Sequence, residues 1–184
     1  MRPFVRKGPV IRLKLTEYEA TLLESLLDQL STMLEGDREP VPDGDPFARW
    51  QAEFSETGQV DHSDPVIARL FPDAYPGDPA ATAEFRRFTQ ARQRQDRISH
   101  AETVMAALRD SDGGRKPVEV RVAEIDGWLK ALTALRLTMA VRLGIERAED
   151  ADELDQLAED DPRSYIYRVY EWVGYLSEGL LAQL

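Results

Sequence analysis

The sequence predicts a mainly α-helical chain of the α+β class, in which helices pack around one buried helix and a small antiparallel sheet lies on one side. Apolar residues recur every three or four positions in several long segments, which is the period of an amphipathic helix. Residues 10–15 and 118–122 instead alternate apolar and polar side chains, which is the period of a strand. Because helical segments separate the two strands, the pattern favours α+β over a pure helical bundle.

The first elements are predicted near the start of the chain. Residues 10–15 alternate apolar and basic side chains, and the Lys-Gly-Pro turn before them predicts a partner strand at residues 4–6. Thr16 and Glu19 have the spacing of a capping box, so a helix should begin there. Gly36 ends its leucine stripe.

Three helices are predicted in the next part. Residues 47–54 are predicted to form a short helix with aromatic residues on one side, and Asp64-Pro65 is predicted to begin a second short helix. Asp78-Pro79 begins the longest helix, at about residues 79–109. The expected apolar face of the long helix, which polar residues interrupt in the middle, consists of Phe85, Phe88, Ile98, Met105 and Leu108.

The remaining elements complete the fold. Residues 118–122 predict a third strand, and residues 124–143 predict a helix that is apolar almost all round and therefore central. Gly144 should cap that helix. A short acidic helix is expected near residues 150–158 and a last helix from Asp161-Pro162 to about Leu181, with a stripe of Ile166, Val169, Val173, Leu176 and Leu180.

Composition limits the class of protein. With 184 residues the chain is expected to form a single domain, residues 1–184. It has no cysteine, which excludes disulfides, a thiolate nucleophile and cysteine-ligated metals in this chain. We find no apolar run of membrane-spanning length and no signal-peptide pattern, so we expect a cytoplasmic protein that does not enter a membrane.

The charge of −11 is unevenly distributed. Residues 1–15 carry five basic and no acidic residues, whereas residues 146–161 carry nine acidic residues and one arginine. An acidic chain is repelled by the phosphate backbone, so direct nucleic-acid binding is not expected. The acidic segment is predicted to be a solvated face or a docking patch for a basic partner.

Catalytic and metal-binding patterns are weak. Asp61-His62-Ser63-Asp64 places possible ligands together, but a zinc site needs three or four convergent ligands. No serine lies in a nucleophile elbow, and the Gly113-Gly114 pair lacks the rest of a phosphate-binding loop. We therefore expect no enzyme activity, no metal and no cofactor.

Five arginines on the long helix are a candidate contact for a partner or an anion: Arg86, Arg87, Arg92, Arg94 and Arg97. They form either a solvated face with ion pairs or a ligand groove, since guanidinium groups bind planar anions through two hydrogen bonds. A pocket that holds two or more of them would favour ligand binding.

Five aromatic residues of the last helix cover most of its circumference: Tyr165, Tyr167, Tyr170, Trp172 and Tyr175. A helix that packs on one side needs a single apolar stripe, so this set suggests burial on two sides. Tyr165, Trp172 and Tyr175 are the candidate interface, either for a homodimer or for a protein partner.

Several segments resemble a family of actinobacterial proteins described as a domain of unknown function and related to the actinobacterial oxidative stress regulators. The segments that carry the resemblance are Asp64–Tyr75, Glu84–Phe88, Trp128–Leu132, Leu135–Leu137, Arg142–Ile145 and Tyr170–Leu176. The resemblance covers nearly the whole chain. It implies a cytoplasmic transcription regulator that binds a protein, with a sigma factor as the candidate partner, and it implies no reaction.

Redox sensing in that family depends on a cysteine pair, which this chain lacks. The first hypothesis is thus a non-enzymatic regulator that works through protein contact without cysteine-based sensing. The alternative is a small-molecule or anion-binding domain that uses the arginines of the long helix.

Overall fold

The structure, a computed structural model, describes residues 4–36, 63–158 and 160–184. Within these ranges the strands are β1 (Phe4–Lys7), β2 (Val10–Leu13) and β3 (Val118–Arg121). The helices are α1 (Glu17–Glu35), α2 (Pro65–Leu70), α3 (Pro79–Asp110), α4 (Ile125–Leu143), α5 (Ala148–Asp155) and α6 (Pro162–Leu181). The described part is therefore mainly helical with a small sheet, as the periodicity predicts. The predicted helix at residues 47–54 lies outside the described residues.

The sheet is antiparallel in the order β1-β2-β3. Leu13 pairs with Phe4 on one side and with Val118 on the other. Strand β2 ends at Leu13 rather than at residue 15, because the chain turns there into the cap of α1. Strand β3 ends at Arg121, where a 3₁₀ turn leads into α4.

The start of α1 confirms the capping box. Thr16 Oγ1 accepts a hydrogen bond from the Glu19 N–H at 3.2 Å, and the Glu19 carboxylate accepts one from the Thr16 N–H at 2.7 Å. Two backbone donors that the first turn leaves without helical partners are thereby satisfied. The leucines of α1 then face the core, with Leu23, Leu27 and Leu34 fully buried.

Helix α4 is the centre of the described fold, as its composition predicts. It contacts α1, α2, α3 and α6. Its buried positions run along its length, and Trp128 is completely enclosed. Gly144 ends α4 in the left-handed conformation with φ 74°, which glycine adopts without steric cost.

The predicted apolar face of α3 is wrong in its first half. Phe85 is 37% exposed and Phe88 is 67% exposed. No residue of α3 between Thr82 and Ile98 is buried, whereas the predicted Met105 and Leu108 are. The polar interruption of the apolar stripe marks the place where α3 leaves the core formed by the described residues.

The last two helices require two corrections, one to a helix boundary and one to an apolar stripe. Helix α5 begins at Ala148, because the Asp150 carboxylate reaches back and accepts hydrogen bonds from the N–H groups of Glu146 and Arg147 at 2.8 Å. Ile166 is 38% exposed and so lies outside the buried stripe of α6, which its other four predicted members do form. Among the described helices, none is both long enough and apolar enough to cross a membrane.

Candidate functional site

The five arginines of α3 do not converge. Arg87 and Arg92 are exposed, and the Arg92 Nε lies 4.0 Å from an oxygen of Asp96 in the next turn. Arg94 is half-buried. Arg86 and Arg97 alone line the groove described below. The arginines of α3 thus divide into two groups. Arg87 and Arg92 belong to a solvated helix face, whereas Arg86 and Arg97 line a concave surface.

Arg97 is held by neutral groups. Its Nη2 donates a hydrogen bond to the carbonyl oxygen of Leu70 at 2.7 Å, and its guanidinium carbon lies 4.6 Å from the ring centroid of Phe71. Burial lowers the pKa of Arg97, and the adjacent Asp96 opposes that shift. No carboxylate in the described part of the chain forms an ion pair with it. Arg97 is therefore a partly desolvated cation with carbonyl partners.

Two adjoining pockets meet at Leu70, Gln93 and Arg97. The larger, of about 400 Å³, lies between α3 and α4, and the smaller, of about 230 Å³, lies where α2 ends against α3. Together they form what we name the arginine groove. The smaller pocket also contains Arg86, whose guanidinium forms an ion pair with Asp73.

Two polar residues of this groove were missed in the sequence. His100 lies one helical turn beyond Arg97, and its Nδ1 is buried without a hydrogen-bond partner among the described residues. The spacing of Gln93, Arg97 and His100 places all three on one helix face, and this signal could have identified them. Lys130 enters from α4 and pairs with Asp126 at 2.6 Å. No local pattern indicates Lys130, because only the packing of α4 on α3 brings it there.

The aromatic residues of α6 divide between two sides. Tyr167 and Tyr170 stack with ring centroids 6.1 Å apart and pack in a second cluster with Leu143 and Leu154. The Arg136 guanidinium lies 4.6 Å from the Tyr170 ring centroid. These two tyrosines are structural residues that hold α5 and α4 against α6.

The three candidate interface residues lie on other parts of α6. Tyr165 is 46% exposed and Tyr175 is 51% exposed, whereas Trp172 is half-buried and packs against the main core. Tyr165 and Tyr175 are ten positions apart, which is about 15 Å along the helix axis. Two of the three predicted residues are thus open to solvent, whereas the third belongs to the packing of the core.

A residue of α1 contacts Tyr165. The Tyr18 hydroxyl lies 2.6 Å from the Tyr165 hydroxyl, and Tyr18 is 63% exposed. Phe4 of β1 lies beside Tyr175, with ring centroids 6.2 Å apart. We name Tyr18, Tyr165 and Tyr175 the tyrosine face. Nothing near Tyr18 in the sequence indicates its place there, because the contact spans 147 positions.

The other candidate sites have structural uses or lie elsewhere. Asp61 and His62 are outside the described residues, and Asp64 caps α2 by accepting a hydrogen bond from Val66 N–H at 2.8 Å. In the acidic segment, hydrogen bonds lower the pKa of both Asp150 and Asp161. Across residues 4–36, 63–158 and 160–184, no group of three or more His, Asp or Glu side chains is arranged to hold a metal ion.

Comparison with known proteins gives the family. A protein of Mycobacterium leprae (strain TN), named "Putative oxidative stress regulator AosR", is 27% identical over 205 aligned positions that cover 98% of this chain and 89% of the relative. No solved structure matches the chain. The family model of the domain of unknown function DUF2017 matches residues 1–184. The chain therefore belongs to the DUF2017 family.

Proposed function

We propose that this chain is a non-enzymatic regulator that acts in the cytoplasm by binding a protein of the transcription apparatus through the tyrosine face. The observation that carries the proposal is the exposure of Tyr18 and Tyr165, which share a hydrogen bond, together with the exposure of Tyr175 on the same helix as Tyr165. The name of the Mycobacterium leprae relative supports a regulatory role. A sigma factor is the partner that the family resemblance favours.

The chemistry of this surface suits a protein partner. A tyrosine ring offers a large contact area with few rotatable bonds, and its hydroxyl stays hydrogen-bonded when the ring is covered. The Tyr18–Tyr165 hydrogen bond restrains two of the three rings before a partner arrives. Such preorganised aromatic residues are the usual source of the largest binding contributions in an interface.

The absence of cysteine limits how this regulator could respond to oxidants. Sulfenic acid and disulfide formation both need a thiolate, which this chain does not supply. A thiol-based oxidant response would therefore depend on a cysteine of the partner. We propose that this chain binds the partner protein and that any thiol-based sensing takes place in that partner.

Binding of the purified chain to purified sigma factors and RNA polymerase core subunits of the same organism tests this function. We expect one of these proteins to bind, and we expect Tyr165→Glu and Tyr175→Glu each to weaken binding by about tenfold or more, as loss of an interface hot spot does. Tyr75→Glu is the matched control, because Tyr75 is 50% exposed but lies beside Phe85, off the tyrosine face. The function is refuted if none of the components binds, and the surface is refuted if the control weakens binding as much.

A further inference from the structure

The arginine groove combines apolar walls with a cation that has no ion-pair partner among the described residues. We propose that it binds a small organic acid: one carboxylate-like anionic group on Arg97 and an apolar body in the larger pocket. This inference does not rest on the proposed function, because the groove involves neither α6 nor the tyrosine face.

Arg97 has donors to spare. Of the five N–H groups of a guanidinium, one donates to the carbonyl of Leu70 and another to that of Gln93 at 3.5 Å. The stack on Phe71 fixes the plane of the group. Water screens a partly buried guanidinium less than an exposed one, so the attraction between Arg97 and a carboxylate is stronger than at an exposed arginine.

The surrounding charges select for a single negative charge. Arg86 and Lys130 are already paired, with Asp73 and Asp126 respectively. Asp96 is a carboxylate in the lining of the larger pocket, so it repels any anion there, and the repulsion grows with the charge of the anion. A monoanion meets less of this repulsion at Arg97 than a phosphate dianion does.

The apolar part of the groove sets the rest of the ligand. Leu70, Leu129, Ala134 and Leu137 line the larger pocket. Its volume of about 400 Å³ is in the range of small-molecule sites, which is about 300–1,000 Å³. His100 also lines this pocket, and its Nδ1 is buried without a hydrogen-bond partner among the described residues. The occupant is thus an amphipathic acid of modest size.

Displacement of the fluorescent sulfonate 1-anilinonaphthalene-8-sulfonate from the full chain is the test. We expect the dye to bind, and octanoate to displace it at a concentration at least about tenfold below that of 1-octanol, which has the same chain without the charge. Equal displacement by both compounds would mean apolar adsorption alone and would overturn the proposal, as would the absence of dye binding.

Variants locate the site. Arg97→Gln should weaken octanoate binding by about tenfold or more. Arg92→Gln is the matched control, because the Arg92 side chain is 88% exposed on the same helix, and it should leave octanoate binding unchanged. Arg97→Gln also removes the hydrogen bond to the Leu70 carbonyl, so a second variant is needed that leaves Arg97 in place. Leu137→Trp is that variant, because the larger side chain fills the larger pocket. It should abolish displaceable dye binding in a chain that still melts cooperatively. Octanoate binding that survives both Arg97→Gln and Leu137→Trp overturns the proposal. Tyr165→Glu, on the tyrosine face, should leave octanoate binding unchanged.

Discussion

The hydroxyl oxygens of Tyr18 and Tyr165 lie 2.6 Å apart and connect the first turn of α1 to the first turn of α6. One of the two hydroxyls donates this hydrogen bond to the other. This pair links two helices whose residues are 147 positions apart in the sequence. It also fixes the relative position of two exposed rings on the tyrosine face.

The hydrogen bond should be visible in the titration of Tyr165. Its pKa lies above the ordinary value of about 10, first because of the hydrogen bond with Tyr18 and then because of burial. The folded protein thus holds this proton to a higher pH than the unfolded chain. The associated stability is present below about pH 10 and is lost as the pH rises through the folded-state pKa. Tyr18→Phe should lower the pKa of Tyr165, as measured by tyrosinate absorbance, and Tyr75→Phe should not.

The centre of the fold depends on Trp128. This side chain is fully buried in α4, so Trp128→Ala leaves a large cavity. We expect a loss of about 3–5 kcal/mol in the free energy of unfolding, measured by urea denaturation. Tyr75→Ala, at an exposed site, should change it by about 0.5 kcal/mol or less. An unchanged midpoint for Trp128→Ala would contradict the central position of α4.

The contact of β1 with α6 depends on a glycine. A Cβ at Gly179 would overlap the ring of Phe4. Gly179→Ala should therefore cost about 1–3 kcal/mol of stability through overpacking, although alanine is the better helix former. In the double variant with Phe4→Ala the added methyl group has space, so the two costs should be less than additive in a double-mutant cycle. Strict additivity would show that the Phe4 ring does not lie there.

We expect the chain to self-associate through the tyrosine face when no partner protein is bound. A two-fold contact of the same patch on two copies is the simplest way to cover Tyr165 and Tyr175 when no partner is present. We expect sedimentation velocity to show a dimer at high micromolar concentration, and Tyr165→Glu to give a folded monomer. A monomeric wild-type chain at that concentration would remove the dimer from the account.

The sequence was most informative where the signal is local. The capping box at Thr16, the turn before β2 and the apolar composition of α4 each determine their element through neighbouring residues, and all three were predicted. The exposure of Phe88 was not predicted, because an apolar residue at a helical spacing is buried only if another element packs on it.

The candidate site divides in the same way. Tyr165 and Tyr175 stand out in the sequence because they exceed what one helix stripe can use. Tyr18 and Lys130 do not, since each is brought to its site by the packing of another helix. Arg97 differs from the other arginines of α3 only through its contacts with Leu70 and Phe71, which no spacing rule shows.

Site-specific photo-crosslinking inside the native host tests most directly whether the tyrosine face is the partner surface. The photoreactive residue p-benzoylphenylalanine replaces Tyr175 in one strain and Tyr75, the exposed tyrosine off this face, in the other. We expect a covalent adduct of a sigma factor or another transcription protein with the chain labelled at position 175, and a much weaker one from position 75. Adducts from position 75 alone, or a set of adducts from position 175 that includes no transcription protein, would contradict the proposed function.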